Sequence, residues 1–395
     1  MCALLALAFG AACRSEDAEP SDASPGAPQP FERPPPRRDD APLFAAYPRL
    51  AEQLPRLAIG AFRTPVEEFV ALSGRFGAER FFVKRDDLSA AAYGGGKVRK
   101  LEFLLGEARR LGRTKVVTCG SAGSNQAAAV AVHGRALGID VLLLLAPERP
   151  SEHVRENLVR AQRAGAELRA VSSVISAETL ARRMLRESGG SGLYFIEPGA
   201  SSERGNVGFV NAGFELAAQV EAQALPAPHA IYVALGTMGS AVGLTIGLKA
   251  AGLKARVIGV RASSPETSSQ ARFLALYSRT VAYLRGIDPT FPALKLAEGD
   301  LVIDGRELGP GYARPTPEAS EAVRWFREQS GIPLETTYTG KALAAAIRDA
   351  PKASGKTVLF WNTHASQVPP PVRPDARAFP DAFRVYFREP SLRRG

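Results

Sequence analysis

Cysteine and histidine are scarce in this chain. Its 395 residues include three cysteines, Cys2, Cys13 and Cys119, at unrelated spacings, which excludes a disulfide scaffold and a cysteine-based zinc site. The four histidines, His133, His153, His229 and His364, are far apart in sequence and form no histidine-pair metal motif. No apolar run reaches the ~18–20 residues that a membrane-spanning helix needs. The formal charge is +10, yet basic residues never occur in runs of five or six. Arginines stand singly or in pairs such as Arg109-Arg110 and Arg182-Arg183, the pattern of solvated helix faces rather than of a nucleic-acid surface. Nucleic acid is therefore not expected as a partner. With 45% hydrophobic and 23% charged residues, the chain is too apolar for disorder and long enough for one large or two medium units.

The first forty residues differ from the rest. Cys2–Ala12 is short and apolar and ends in small residues before Cys13, whereas Arg14–Ala41 holds seven prolines and little that can be buried. Such a segment cannot offset its ordering entropy and is expected to be a flexible tether. Residues 1–41 resemble a bacterial lipoprotein signal followed by a linker, with Cys13 as the lipidated residue. The alternative is a misassigned start on a cytoplasmic protein. Location is left between envelope and cytoplasm, membrane contact is expected only through a lipid on Cys13, and this stretch is set aside from fold reasoning.

From Pro42 onward the chain repeats strand, glycine-rich turn and helix. Phe81–Val83, Lys115–Cys119, Val141–Leu145, Leu193–Ile196, Ile231–Leu235, Arg256–Val260 and Lys356–Phe360 read as strands. Arg99–Leu111, Ala127–Leu137, Ala241–Ala251, Glu318–Gln329 and Lys341–Asp349 read as helices. Val141–Leu145 is an unbroken apolar run, as expected of a strand covered on both faces. Alternating strands and helices imply an α/β fold with a largely parallel sheet. No fixed-period repeat occurs, and the proline-rich tail 369–395 receives no element. Ligands of such folds sit beyond the carboxyl ends of strands, so three glycine-rich strand-to-helix turns are the candidate sites.

The first is Gly94-Gly95-Gly96-Lys97-Val98-Arg99-Lys100. Glycines allow close backbone approach, and Lys97 and Lys100 lie on one side of a helical turn. One is a candidate nucleophilic amine, the other a counter-charge for a phosphate. A basic surface turn is the competing explanation, although cations are unfavourable at a helix N-terminus. The second is Cys119-Gly120-Ser121-Ala122-Gly123-Ser124-Asn125-Gln126. Its hydroxyl and amide groups at a helix N-terminus suit a carboxylate, while ordinary capping would need only Ser124 or Asn125. The third is Gly236-Thr237-Met238-Gly239-Ser240, whose backbone N–H groups and hydroxyls suit a phosphate. It lacks the Gly-Lys-Ser/Thr ending of a nucleotide P-loop and the spacing of a dinucleotide fingerprint.

Taken together, Lys84-Arg85-Asp86-Asp87, Gly94–Glu102 and Gly123–Gln126 resemble the pyridoxal-phosphate enzymes of the D-cysteine desulfhydrase and 1-aminocyclopropane-1-carboxylate deaminase family. Gly309-Pro310-Gly311-Tyr312-Ala313-Arg314-Pro315-Thr316 and Leu334-Glu335-Thr336-Thr337-Tyr338-Thr339-Gly340-Lys341 extend the likeness, which runs from about Pro55 to Thr363. The resemblance implies a fold-type-II architecture like the tryptophan synthase β chain, with two open-sheet α/β domains and the cofactor between them. A small subdomain at about 100–205 would be inserted in a large domain formed by 42–99 and 206–368. The resemblance makes Lys97 the lysine that holds pyridoxal 5′-phosphate, Lys100 a basic residue near its phosphate, and Gly236, Thr237, Met238, Gly239 and Ser240 the phosphate cradle. It matches Asn125 to the cofactor's phenolic oxygen, Ser124, Asn125 and Gln126 to the substrate carboxylate, and Tyr312 and Tyr338 to two active-site tyrosines. Thr339 would face the pyridine nitrogen. A homodimer acting on a small amino acid is implied as well.

The side chains suit that chemistry independently, because such a cofactor needs an amine, a phosphate anchor, a carboxylate clamp and proton-transfer groups. Lys97, Ser124, Tyr312 and Tyr338 are the catalytic candidates. In the family, cyclopropane-opening members place a carboxylate opposite the pyridine nitrogen. The neutral Thr339 instead favours a D-cysteine desulfhydrase-like elimination, with the cyclopropane deaminase and a D- or L-serine-type deaminase as alternatives. A tethered amino-acid-binding protein on the same fold is the non-enzymatic alternative. Two departures bear on the pocket. Gly96 stands where the family has asparagine, and Phe360-Trp361-Asn362-Thr363-His364 replaces a glycine-rich end with bulkier residues.

Overall fold

The computed structural model describes residues 41–76, 80–189, 192–353, 355–367 and 375–388. Two short helices, α1 (Pro42–Ala46) and α2 (Pro48–Gln53), each begin with proline, where its missing N–H has no partner to lose. They lead into β1 (Val66–Glu68), α3 (Val70–Phe76), β2 (Arg80–Arg85) and α4 (Lys97–Arg110). A strand–helix alternation follows through β3 (Lys115–Ser121), α5 (Asn125–Ala136), β4 (Asp140–Ala146), α6 (Glu152–Arg163), β5 (Glu167–Ala170), α7 (Val174–Glu187) and β6 (Leu193–Ile196). Next come α8 (Glu203–Glu221), β7 (Ala230–Leu235), α9 (Gly239–Ala250), β8 (Arg256–Arg261), α10 (Gln270–Ile287), β9 (Leu301–Asp304), α11 (Pro317–Ser330), α12 (Thr339–Asp349), β10 (Thr357–Asn362) and α13 (Asp381–Arg384). No helix among the described residues is long and apolar enough to cross a membrane.

The strands form two sheets, one of six in the order β1-β2-β10-β7-β8-β9 and one of four in the order β5-β4-β3-β6. All pairings are parallel except β1 with β2. β4 and β10 are buried along nearly their whole length, as parallel strands covered by helices on both faces must be. The α/β expectation is thus met, and elements that the sequence left unassigned have physical reasons for their silence. β5 is an edge strand with one buried residue, Leu168. Helix α8 carries Gly205, Gly208 and Gly213, which depress its propensity. Burial of one residue after another from Gly205 to Leu216 overrides that cost. The proline-rich tail also holds structure among its described residues. Phe379, Phe383 and Tyr386 are buried in the core beneath α5 and α6.

Charged residues occupy the centre of the molecule. Lys84, Asp86, Arg99 and Glu215 are each at most 1% exposed. Arg99 donates to Asp86 at 2.7 and 2.8 Å and to Glu215 at 2.8 and 3.1 Å. Lys84 pairs with Glu215 and also donates to the Thr64 carbonyl and Gln219 at 2.7 Å. The Trp361 indole donates to Asp86 at 2.8 Å. The cluster therefore cross-links β2, α4, α8 and β10. Burial alone would raise the Glu215 pKa, but Arg99 and Lys84 override it and hold the carboxyl at about 2.

Replacing Glu215 with alanine leaves Lys84 buried without its carboxylate and Arg99 with Asp86 alone, and the expected cost is about 3–5 kcal/mol, read from the denaturant midpoint. The wild-type carboxylate is depressed on folding, so its contribution is present above the unfolded value of about 4.3 and is lost as pH falls towards about 2. A variant as stable as the parent would show that the cluster carries no net stability.

Candidate active site

The glycine turn after β2 is built by backbone hydrogen bonds. Gly95 N–H donates to the Asp86 carbonyl at 2.8 Å and Gly96 N–H to the Thr363 carbonyl at 3.1 Å. Gly95 has φ +92, and a Cβ there would stand 2.7 Å from the Thr363 carbonyl oxygen, so only glycine fits. Helix α4 starts two residues earlier than its periodicity predicts, which puts Lys97 in its first turn on the wall of a cavity of about 300 Å³. Burial lowers the Lys97 pKa to about 8, against the opposing pull of Glu335. Gly96 does not leave a hole where the family asparagine would sit. A Cβ at Gly96 would lie 3.0 Å from Phe209 and 3.1 Å from the Thr363 methyl, so those side chains already fill the space.

The turn after β7 forms the second wall. Met238 adopts the left-handed conformation, φ +70, and caps α9 without a side-chain hydrogen bond. A non-glycine residue held there stores roughly 1–3 kcal/mol of strain, a common price at ligand-binding turns. The Thr237 and Ser201 hydroxyls lie 2.7 Å apart, and Gly239 N–H points at Ser201 Oγ at 3.3 Å. Lys100 donates to Ser201 Oγ at 3.2 Å and to the Gly199 carbonyl at 3.1 Å. A Cβ on Gly239 would collide with Asn206 Oδ1, Ser201 Oγ and Lys100 Nζ, all within 2.6 Å. Lys100 is buried, and its pKa is driven well down by burial and then by Lys97. Its nearest partners are a carbonyl and a hydroxyl rather than a carboxylate, so the polar groups converge on a place suited to an anion. Ser201 was not singled out from sequence. Its signal is a further glycine-bearing strand-to-helix turn, Pro198-Gly199-Ala200-Ser201, after β6.

The third wall is the β3–α5 turn. Ser124 is the N-cap of α5 and accepts from Ala127 N–H at 3.2 Å, so the capping role is real and its hydroxyl also faces the cavity. Asn125 Oδ1 accepts from the Tyr93 hydroxyl at 3.2 Å and from Asn157 at 3.0 Å. The Gln126 side chain braces the scaffold, donating to Thr118 Oγ1 at 2.6 Å and accepting from Gly199 N–H at 3.2 Å. The amide is thus engaged within the scaffold. Ser121 Oγ meets the Tyr312 hydroxyl at 3.1 Å, and the Tyr338 hydroxyl donates to Tyr312 at 3.1 Å. Burial raises the Tyr312 pKa to about 12 and the Tyr338 pKa well above its ordinary value, so both remain protonated at neutral pH.

Glu335 organises the fourth wall and was not picked out as a site residue from sequence. Its carboxylate accepts the N–H groups of Thr337, Tyr338 and Thr339 at 2.7–3.1 Å, and the Thr339 hydroxyl lies 3.1 Å away. Burial disfavours the charge on Glu335, and it is opposed by the His364 and His153 imidazoles when they are protonated and by these N–H groups, so its pKa is lowered. The sequence signal is an acidic residue four positions before Thr339, at the entrance to α12, where a helix N-terminus favours negative charge. His364 lines the same cavity, 6.1 Å from the His153 ring. Burial takes its pKa down to about 4, so it is neutral at pH 7.

Every candidate named from sequence lines this one cavity, apart from Cys13, which lies outside the described residues. A poised amine, an anion cradle with an uncompensated lysine and a helix N-terminus for a carboxylate fit an aromatic aldehyde bearing a phosphate. Residues 57–364 match the family described as pyridoxal-phosphate dependent enzyme. Nocardicin C-9′ epimerase of Nocardia uniformis subsp. tsuyamanensis is 32% identical, covering 82% of this chain and 97% of its own length. D-cysteine desulfhydrase of Salmonella paratyphi B is 32% identical over 75% of this chain and 88% of its own. Among solved structures, an ACC deaminase homologue aligns with a TM-score of 0.69 at 28% identity, over 82% of this chain and 94% of that one. With the amine, the cradle and more than three-quarters of its length in agreement, the chain belongs to the pyridoxal-phosphate dependent enzyme family.

Proposed function

We propose that this enzyme eliminates the β-substituent of a small amino acid, with D-cysteine as the substrate and pyruvate, sulfide and ammonia as products. One observation carries the reading. Lys97, an amine with a pKa of about 8, shares a cavity with Thr339, a neutral hydroxyl at the position where the family resemblance implies a carboxylate for cyclopropane-opening members. The Glu335 carboxylate nearby is engaged by three N–H groups and by Thr339 itself. What Thr339 offers a ring nitrogen is therefore uncharged.

In this reading Lys97 holds the cofactor covalently, Lys100, Ser201 and Gly236–Ser240 receive its phosphate, Asn125 its phenolic oxygen and Thr339 its pyridine nitrogen. When bound, the cofactor supplies an electron sink for negative charge at the substrate Cα. The N–H groups at the start of α5, with the Ser124 hydroxyl, hold the substrate carboxylate. Lys97 as a free amine removes the Cα proton. Tyr338, kept protonated and tied to Tyr312, borders the place where the Cβ–S bond breaks; the sulfur leaves as hydrosulfide, and water hydrolyses the remaining enamine to pyruvate and ammonia. Such an elimination needs a leaving group more than it needs a strong sink, so serine derivatives and chloroalanine are expected substrates and the cyclopropane amino acid a poor one. Inversion at Cα would begin with the same proton removal, and the likeness to an epimerase makes it the competing outcome.

The same reading takes residues of about 100–205, which hold the four-stranded sheet, as a small subdomain inserted between 42–99 and 206–368. It also takes the enzyme as a homodimer, with membrane attachment, where it occurs, through lipidated Cys13.

Borohydride reduction and peptide mapping are expected to place the phosphopyridoxyl label on Lys97, and Lys97→Ala should lower turnover by about 10²–10⁴-fold. Apoenzyme reconstitution should accelerate by roughly tenfold between pH 7 and 9 as the amine loses its proton. A label on another lysine would sink the assignment. Replacing Thr237 and Ser240 together with leucine should release the cofactor, and unchanged affinity would argue against the cradle. Finally, purified enzyme should form pyruvate and sulfide from D-cysteine faster than it opens 1-aminocyclopropane-1-carboxylate. The reverse order, or recovery of cysteine inverted at Cα without pyruvate, would overturn the elimination.

A further inference from the structure

The family match ends at residue 364, but the chain beyond it returns to the active site. The Gln367 side chain uses both amide protons and its oxygen on the turn that delivers Lys97. Its Oε1 accepts from Gly94 N–H at 2.8 Å, and its Nε2 donates to the carbonyls of Asp87 at 2.9 Å and Ala90 at 2.8 Å. Its own carbonyl accepts from Arg160 of α6. One amide thus ties three points of the 86–96 turn together and links them to the helix beside α5. Further on, Phe379, Phe383 and Tyr386 are at most 5% exposed in the core under α5 and α6. The Tyr386 hydroxyl accepts from Glu148 N–H at 3.0 Å, and the Glu148 carboxylate accepts from Gly123 N–H at 3.1 Å. Gly123 immediately precedes Ser124–Gln126.

We propose that the described residues beyond 364, 365–367 and 375–388, act as a strap that positions both reacting loops, with Gln367 as the positioning residue for Lys97 and Tyr386, through Glu148, as the positioning residue for the carboxylate grip. This rests on the reading of Lys97 as the cofactor lysine. The physical basis is that Gly94, Gly95 and Gly96 have no side chains of their own to fix the turn, and glycine carries the largest backbone entropy to be restrained. Without Gln367 the Gly94 N–H loses its partner and the stretch from Asp87 to Gly94 loses its cross-tie. That leaves the bonds of Gly95 and Gly96 N–H to Asp86 and Thr363, of the Ser89 hydroxyl to the Gly95 carbonyl and of His133 to the Tyr93 carbonyl. Lys97 would then sample positions off the reactive geometry, where displacements near 1 Å cost up to about a hundredfold in rate.

Gln367→Met keeps the shape of the side chain and removes its three hydrogen bonds, while Tyr386→Phe keeps the buried ring and removes one. In the holoenzyme, Gln367→Met is expected to lower kcat between about tenfold and a hundredfold, with KM little changed. It should also shift the pH at which the visible absorbance band titrates. Tyr386→Phe is expected to raise KM several-fold with kcat and the band intact. If either variant loses thermal stability alone, with kinetics and absorbance as in the parent, the strap is structural and the proposal falls. Borohydride mapping on the parent separates the two readings, because a label away from Lys97 defeats the cofactor assignment, whereas a label on Lys97 with unchanged variants defeats only the strap.

Discussion

Lys84, Arg99, Asp86 and Glu215 bring two positive and two negative charges into a place that water does not reach. Burying such ions costs several kcal/mol each, and only close mutual pairing offsets it. The pairing can be satisfied in one arrangement alone, because its members come from β2 and its turn, from α4 and from α8, with Trp361 of β10 adding a donor. A shift in any of these elements leaves a charge unpaired. Arg99 lies two residues beyond Lys97 on the same helix, so the constraint that fixes the helix also fixes where the reactive amine emerges. The position of the catalytic candidate is thus decided by charges that never touch a substrate.

The cavity reverses that logic. In the ion cluster every cation has its anion, whereas in the cavity Lys100 is surrounded by a carbonyl and hydroxyls and is pushed towards neutrality by burial and by Lys97. A site of this kind is poised for a ligand that brings negative charge with it, since binding supplies the missing partner. Glu335 supplies the opposite sign on another wall, where backbone N–H groups stabilise its carboxylate. The protein therefore fixes donors on one wall and a carboxylate on another before anything is bound, the kind of arrangement that electrostatic preorganisation requires.

Topology explains why segments so far apart in sequence meet here. β10 is the last strand among the described residues, yet it lies between β2 and β7 in the six-stranded sheet. Its carboxyl end delivers Thr363, His364 and Gln367 beside the Gly94–Gly96 turn. The turns after β2, β3, β6 and β7 open on the same side, as expected of parallel strands whose loops gather at one end.

Much of this was legible without coordinates. Alternating apolar strands and helical stripes are local patterns that follow from burial on both faces of a parallel sheet, so the α/β class could be read from Val141–Leu145 or Ile231–Leu235 alone. Glycine-rich turns before helices are equally local, and they led to Lys97, Lys100, Ser124, Asn125 and Gly236–Ser240, all of which line the cavity. What could not be read depends on partners distant in the chain. Gln126 looks like a ligand group until its amide is seen to brace Thr118 and Gly199. Gly96 looks like a missing side chain until Thr363 and Phe209 are seen to fill the space. Lys84-Arg85-Asp86-Asp87 carries a family resemblance, but nothing local shows that Lys84, Asp86 and Asp87 are buried, with Lys84 paired to Glu215 of α8 and Asp86 to Arg99 of α4. The sequence by itself determined which elements form and which turns carry chemistry, because those depend on neighbours a few residues away. Only the tertiary structure decided which polar groups are engaged and which are left for a ligand, because hydrogen-bond capacity is settled by contacts made across the fold.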